Sequence, residues 1–190
     1  MTIKLVLFLL FIQILYANSR RMRETAYLYD FSPCPGVEMA SEVDTSFSYR
    51  GRDDYRINVD WKINRTVDNL SAILDIKKCP TRALVDCEVY LKFPVNEICH
   101  AVRNELNYTR LLHSSEPPIQ SCPLKGRYQL KDFPIVKEIP DIKKLLGFGF
   151  ITDNKTLKCD FSLLSGNVVL LCVRMVGSFR LTRHNLEFET

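Results

Sequence analysis

The chain has 190 residues, 46% of them hydrophobic and 25% charged, with a formal net charge of +4. That length suits one domain large enough to bury a core of its own. The charge is too mild to point to nucleic acid, which calls for a clustered basic face.

Lys4 precedes an almost unbroken apolar run from Leu5 to Tyr16, and Ala17 and Ser19 follow as small residues. A basic start, an apolar stretch and a small-residue exit form the pattern of a secretory signal, with cleavage after Ser19 or, as the competing choice, after Ala17. The alternative, a membrane anchor, needs about 20 apolar residues to cross ~30 Å of hydrocarbon, and this run is shorter. The expected organisation is a signal peptide over 1–19, one domain over 20–179 and a charged tail over 180–190. The cluster Arg20, Arg21 and Arg23 reads as a solvated segment at the new terminus.

Tyr55, Ile57, Val59, Trp61 and Ile63 alternate with Arg56, Asn58, Asp60 and Lys62. This period of two is the mark of a half-buried strand, within a stretch of such alternation from Ser46 to Lys78. Leu70, Ala72, Leu74 and Ile76 repeat it, with a turn between Asn64 and Asn69. Val85 to Phe93 forms a third run. The period then changes: Ile98, Val102 and Leu106 recur every four residues between Pro94 and Tyr108, predicting one short amphipathic helix with Asn96 as a candidate N-cap. Ser114, Ser115, Pro117 and Pro118 mark a loop. Gly126 to Phe133 looks extended again. The runs Thr156 to Leu164 and Val168 to Phe179 flank a hairpin turn at Ser165-Gly166-Asn167. Strands, one helix, then strands predict a mainly β fold, an antiparallel sandwich or cup.

Beyond the leader stand seven cysteines, Cys34, Cys79, Cys87, Cys99, Cys122, Cys159 and Cys172. Behind a signal peptide they read as a disulfide framework with one thiol left over, and spacing alone leaves many pairings open. No C-x-x-C or H-x-x-x-H spacing supports a metal site, and none is expected. Sequons at Asn64, Asn69, Asn107 and Asn154 mark candidate glycosylation sites, which would lie on the surface.

The segment Cys122-Pro-Leu-Lys-Gly-Arg-Tyr-Gln-Leu130, entering a strand and followed by a Pro-spaced apolar stretch and a final Cys-bearing strand, resembles the ML lipid-recognition family, in particular its ganglioside-activator branch. The likeness spans roughly Cys34 to Phe179, with its specific landmarks from Cys79 onward. It implies a disulfide-stapled β-cup whose apolar cavity accepts acyl chains. It also implies the pairings Cys34–Cys172, Cys79–Cys87 and Cys99–Cys122. This chain departs from the pattern in three respects: its motif is one residue shorter, the additional cysteine pair of the activators is missing, and Cys159 is added. Cys159 is therefore the expected free thiol. It shares a strand face with Leu157, Phe161 and Leu163, which suits a buried and inert group.

A carrier needs apolar walls and a mouth rather than a nucleophile. Each methylene taken from water contributes ~0.8 kcal/mol, so a buried acyl chain supplies most of the affinity. The candidate walls are Tyr55, Val59, Trp61, Leu74, Phe161, Leu163, Leu170 and Val173, although a strand face that packs as ordinary core has the same pattern. The candidate mouth is Ile135, Val136, Ile139, Ile142, Leu145, Leu146, Phe148 and Phe150, an apolar stretch broken by Pro and Gly that follows no strand or helix period. It matches the mobile entrance loop of the activators, and exposed apolar patches usually mark interfaces. Lys143 and Lys144 beside it suit lipid head groups and transient contact with a membrane surface.

No enzymatic activity is expected. His100, His113 and His184 lie in no nucleophile signature, and G-x-S-x-G is absent. The expected partners are a lipid or other apolar small molecule and, in presenting it, a hydrolase or receptor; no cofactor is expected. The alternative is an extracellular recognition module, innate-immune or chemosensory, that acts by protein contact.

Overall fold

The computed structural model of the chain describes residues 22–51, 54–103, 110–136 and 155–183. The expected signal peptide, with Arg20 and Arg21, lies outside them, as do Asn107, Asn154, His184 and the mouth residues from Ile139 to Phe150.

The structure is a mainly β, antiparallel two-sheet sandwich, as the alternation predicts. Its strands are β1 (Met22–Pro33), β2 (Glu42–Tyr49), β3 (Tyr55–Val67), β4 (Ser71–Cys79), β5 (Glu88–Val95), β6 (Leu124–Pro134), β7 (Thr156–Ser165) and β8 (Val168–Arg183). Five of them form one sheet in the order β1-β8-β7-β4-β5, and β2-β3-β6 form the other. Two short helices, α1 (Ile98–Arg103) and α2 (Arg110–His113), follow β5.

The nine-residue alternation becomes the centre of the smaller sheet. Tyr55, Ile57, Trp61 and Ile63 are buried while Lys62 and Asn64 are exposed. On the outer side, Arg127 of β6 pairs with Asp60 of β3, which also accepts a hydrogen bond from Gln129 Nε2 at 2.8 Å. Buried residues of β6 are out of strict alternation at Leu130 and Phe133. The register shifts here, and Asp132 takes a φ of 53°, held by its N–H donating to Asn58 Oδ1 at 2.9 Å. Such a bulge turns Phe133 back toward the core.

Several expected boundaries move. β1 escapes the alternation reading, because a register shift between Leu28 and Asp30 puts its buried residues, Leu28 and Phe31, three apart instead of two. Arg23, expected in a solvated segment, pairs with Thr182 inside that strand. β2 begins four residues before Ser46. β3 runs past Asn64 to Val67, so the turn into β4 occupies only 68–70. Pro94 belongs to β5 rather than to the helix. The carbonyl of Glu97, at a φ of 55°, accepts the N–H groups of His100 and Ala101 at 2.9 and 3.1 Å, which makes Glu97 the N-cap in place of Asn96. Strand pairing continues through Arg183, taking Arg180 to Arg183 out of the expected tail.

The cysteines pair as the family resemblance implies: Cys34–Cys172, Cys79–Cys87 and Cys99–Cys122, with Cys159 free. Such bonds indicate an oxidising compartment. Among the described residues no helix is long and apolar enough to cross a membrane.

Candidate functional site

The face that matters is the inner face of the five-stranded sheet. Register places Ala72, Leu163 and Leu171 side by side near the β7–β8 hairpin. One step along lie Leu74, Phe161 and Val173, with Phe93 on the β5 side. A further step brings Ile76, Cys159, Met175 and Leu91 into line. The last step reaches Lys78, Leu157 and Gly177. A single apolar face therefore runs the length of the sheet and ends in a cation. Gly177 admits no side chain, because a Cβ there would stand 2.6 Å from the Tyr27 carbonyl oxygen.

This face is packed differently at the hairpin and on the β4–β7 side of its other end, whereas along β1 the main core runs on through Phe31 beside Met175 and Leu28 beside Gly177. At the hairpin end it meets the smaller sheet and both helices. Leu163, Leu170, Leu171 and Ala72 are buried with Trp61, Ile63, Val67, Ile98, Val102, Leu112 and Ile119 in one core. At the other end, Ile76 and Leu157 form a separate small cluster with the half-buried Leu74, Leu91, Cys159 and Phe179. The half-buried Phe161 and Met175 lie between, packed on the main core. This second end is the one from which the chain leaves after β6 and to which it returns at β7.

Of the expected wall residues, Tyr55, Trp61, Leu163, Leu170 and Val173 are buried in the main core, and Val59 and Phe161 pack half-buried against it. Trp61 Nε1 donates to Ser41 Oγ at 2.8 Å, which satisfies its polar edge within the protein. Leu74 alone belongs to the second cluster. Ile76, Leu91, Leu157, Met175 and Phe179 share the wall with it, although the sequence reading did not single them out as lining. Carrying the alternation of Leu74 and Val173 along their own strands reaches Ile76, Met175 and Phe179. Of the expected mouth, Ile135 is buried in the main core and Val136 packs against it, so this segment starts from an anchored position.

Cys159 lies on this wall with its strand neighbour Asp160 and with Asp75 close by. Burial pushes its thiol pKa up to about 12, and the carboxylates of Asp160 and Asp75 add to the rise. A thiolate is the reactive species, so this sulfur is held inert. On the opposite face Asp160 receives Arg174 Nε at 2.7 Å and Nη2 at 3.0 Å, and Lys158 Nζ stands 3.3 Å away. Burial opposes ionisation of Asp160, but the Arg174 and Lys158 contacts outweigh it and keep its carboxyl below the usual range.

The open end is finished by the loop closed by Cys79–Cys87. Arg82 on that loop lies 3.8 Å over the Tyr29 ring, and Lys78 Nζ lies 4.2 Å over the Tyr90 ring. Beside them β5, at the end of the sheet order, exposes Val89 and Phe93. At the closed end a surface cleft of about 660 Å³ opens between the β3–β4 turn, the start of α1, the Cys99–Cys122 bond and the β7–β8 hairpin. His100 lines that cleft, while His113 Nε2 lies 3.1 Å from the Val102 carbonyl oxygen. Among the described residues no group of His, Cys, Asp and Glu could hold a metal ion. Asn64 and Asn69 are both exposed.

No protein-family model matches the chain, and a search of the curated proteins finds no match.

Proposed function

We propose that this chain is a secreted, non-enzymatic lipid carrier of the ML type, holding an acyl chain on the inner face of its five-stranded sheet. The observation that carries the reading is the row Leu74, Phe161, Met175, Leu91, Cys159 and Phe179. These side chains face inward yet are only half-buried: Phe161 and Met175 pack at the margin of the main core, and Leu74, Leu91, Cys159 and Phe179 pack around the separate Ile76–Leu157 cluster. An acyl chain laid along them would gain ~0.8 kcal/mol for each methylene removed from water. Lys78, at the end of the same face, sets a cation where a head group would emerge, and the apolar sequence from Ile139 to Phe150 is the candidate for meeting a membrane. The bound lipid would then be passed to a hydrolase or receptor.

The test is direct. Protein secreted by eukaryotic cells should release lipid on solvent extraction and show the adduct by native mass spectrometry. Phe161→Glu and Leu74→Glu should abolish binding of a fluorescent acyl probe while the disulfides still form. A protein that emerges lipid-free and ignores the probe overturns the reading.

A second reading, recognition by protein contact, is favoured by the exposed apolar residues of β5 and the loop before it. Val85, Val89, Tyr90 and Phe93 are 58%, 66%, 38% and 41% exposed. β5 stands at the end of the sheet order, and exposed apolar residues along such a strand suit an interface. Receptor-ectodomain binding lost in Val89→Lys but retained in Phe161→Glu would favour it.

A further inference from the structure

The cleft at the closed end has a candidate occupant within its own walls. Asn69 lines it and begins the sequon Asn69-Leu-Ser71. The turn that carries Asn69 is fixed from three sides. Leu70, the next residue, is buried at 3% exposure, and its carbonyl accepts the Ile98 N–H of α1 at 2.8 Å. The preceding Asp68 carbonyl oxygen lies 3.5 Å from Cys99 Sγ. With Leu70 held inward, Asn69 is turned out at the lip of the cleft. Asn64 differs: it stands on β3, and its Nδ2 donates to Glu42 Oε1 at 3.3 Å.

We propose that Asn69 carries an N-glycan whose first sugars seat in this cleft and shield the Cys99–Cys122 disulfide. The inference depends on the secretory part of the reading above and not on lipid binding. At about 660 Å³ the cleft is within the range of roughly 300–1,000 Å³ that accepts a small organic ligand. Asp68, Glu97 and His100 offer polar partners to sugar hydroxyls, and the disulfide with Pro123 offers an apolar surface to a ring face. Thiol–disulfide exchange requires access to sulfur, so a sugar seated there slows it.

The full chain, secreted from eukaryotic cells, provides the test. Enzymatic glycan release in heavy-oxygen water tags each occupied asparagine for peptide mass spectrometry. The expected result is a tag at Asn69 that appears more slowly in folded protein than the tags at other occupied sequons and at the same rate after denaturation. Reduction of Cys99–Cys122 by a small thiol should be several-fold faster in both Asn69→Gln and Ser71→Ala than in the wild type. Two variants that remove the same sequon at different residues separate loss of the sugar from damage to the turn. A bare Asn69 beside another occupied sequon overturns this proposal alone, as do equal release rates with unchanged reduction. A chain bare at every sequon overturns it together with the secretory reading.

Discussion

The two ends of the five-stranded sheet share one alternating face but not one kind of packing. The hairpin end is covered by the smaller sheet and by α1, and its side chains are buried to the last methyl: Leu163 and Leu170 are both 0% exposed. Toward Cys79 on β4 and β7 the residues are equally apolar, yet Ile76 and Leu157 are buried in a cluster of their own and Leu74, Leu91, Cys159 and Phe179 around them stay half-buried. The lesson is that one pattern of residues can serve stability at one end and leave surface for a guest at the other. A sheet face is closed only where another layer reaches it.

The disulfides give the largest test of that contrast. Cys34–Cys172 spans 138 residues and ties β1 to β8, whereas Cys79–Cys87 spans 8 at the open end. By loop-closure entropy, replacing the first pair with Ser should destabilise by about 5 kcal/mol and the second by about half that. Chemical denaturation of the two double variants measures the difference. Equal losses would overturn the loop-closure account of these two bonds.

Leu163→Ala comes next. It removes a fully buried side chain from the closed end and should cost about 3 kcal/mol in the same assay. Leu74→Ala, at the half-buried end, should cost about 1 kcal/mol but weaken acyl-probe binding strongly. Reversal of either pair of effects would break the proposed division between the ends.

Asp160→Asn tests the outer face, where burial is shared more evenly. It removes charge-assisted bonds from Arg174 and should cost about 2 kcal/mol at neutral pH. The sign with pH follows from the depressed folded-state value. The stabilisation is complete above the unfolded carboxylate value of about 3.9 and is lost as pH falls through the lower folded value. Denaturation midpoints of variant and wild type should therefore converge in strong acid, and a gap that persists there would refute the ionic account.

Smallest in energy, and most local, is Cys159. With its thiol pKa near 12, alkylation at pH 8 should be slow in the folded protein and fast after unfolding. Cys159→Ala should change stability by only about 1 kcal/mol. Rapid alkylation of folded protein would show that burial does not hold this sulfur inert.

Much of this molecule could be read from residues alone where the chain alternates without interruption, as at Tyr55 to Ile63. β1 could not, because its bulge at Leu28–Asp30 breaks the period that identifies a strand. The helix was visible in Ile98 and Val102, but its start was not: Glu97 caps it through its backbone, while the side-chain chemistry of Asn96 suggested the residue before. Among the wall residues, alternation told which side of a strand is apolar but not what lies across from it. Leu74 and Leu163 are indistinguishable in pattern, yet Leu163 is fully buried in the main core and Leu74 is half-buried in the second cluster.

Local order in the sequence therefore determined the strand class and the parity of the uninterrupted strands, because these depend on neighbours along the chain, and the odd count of seven cysteines left one thiol over. The tertiary structure decided which apolar residues are core and which remain half-covered. That depends on where two sheets meet, and the meeting is set by contacts between residues far apart in the chain, such as Thr45 of β2 with the Phe31 carbonyl of β1 and Trp61 of β3 through Ser41 with the Leu170 carbonyl of β8.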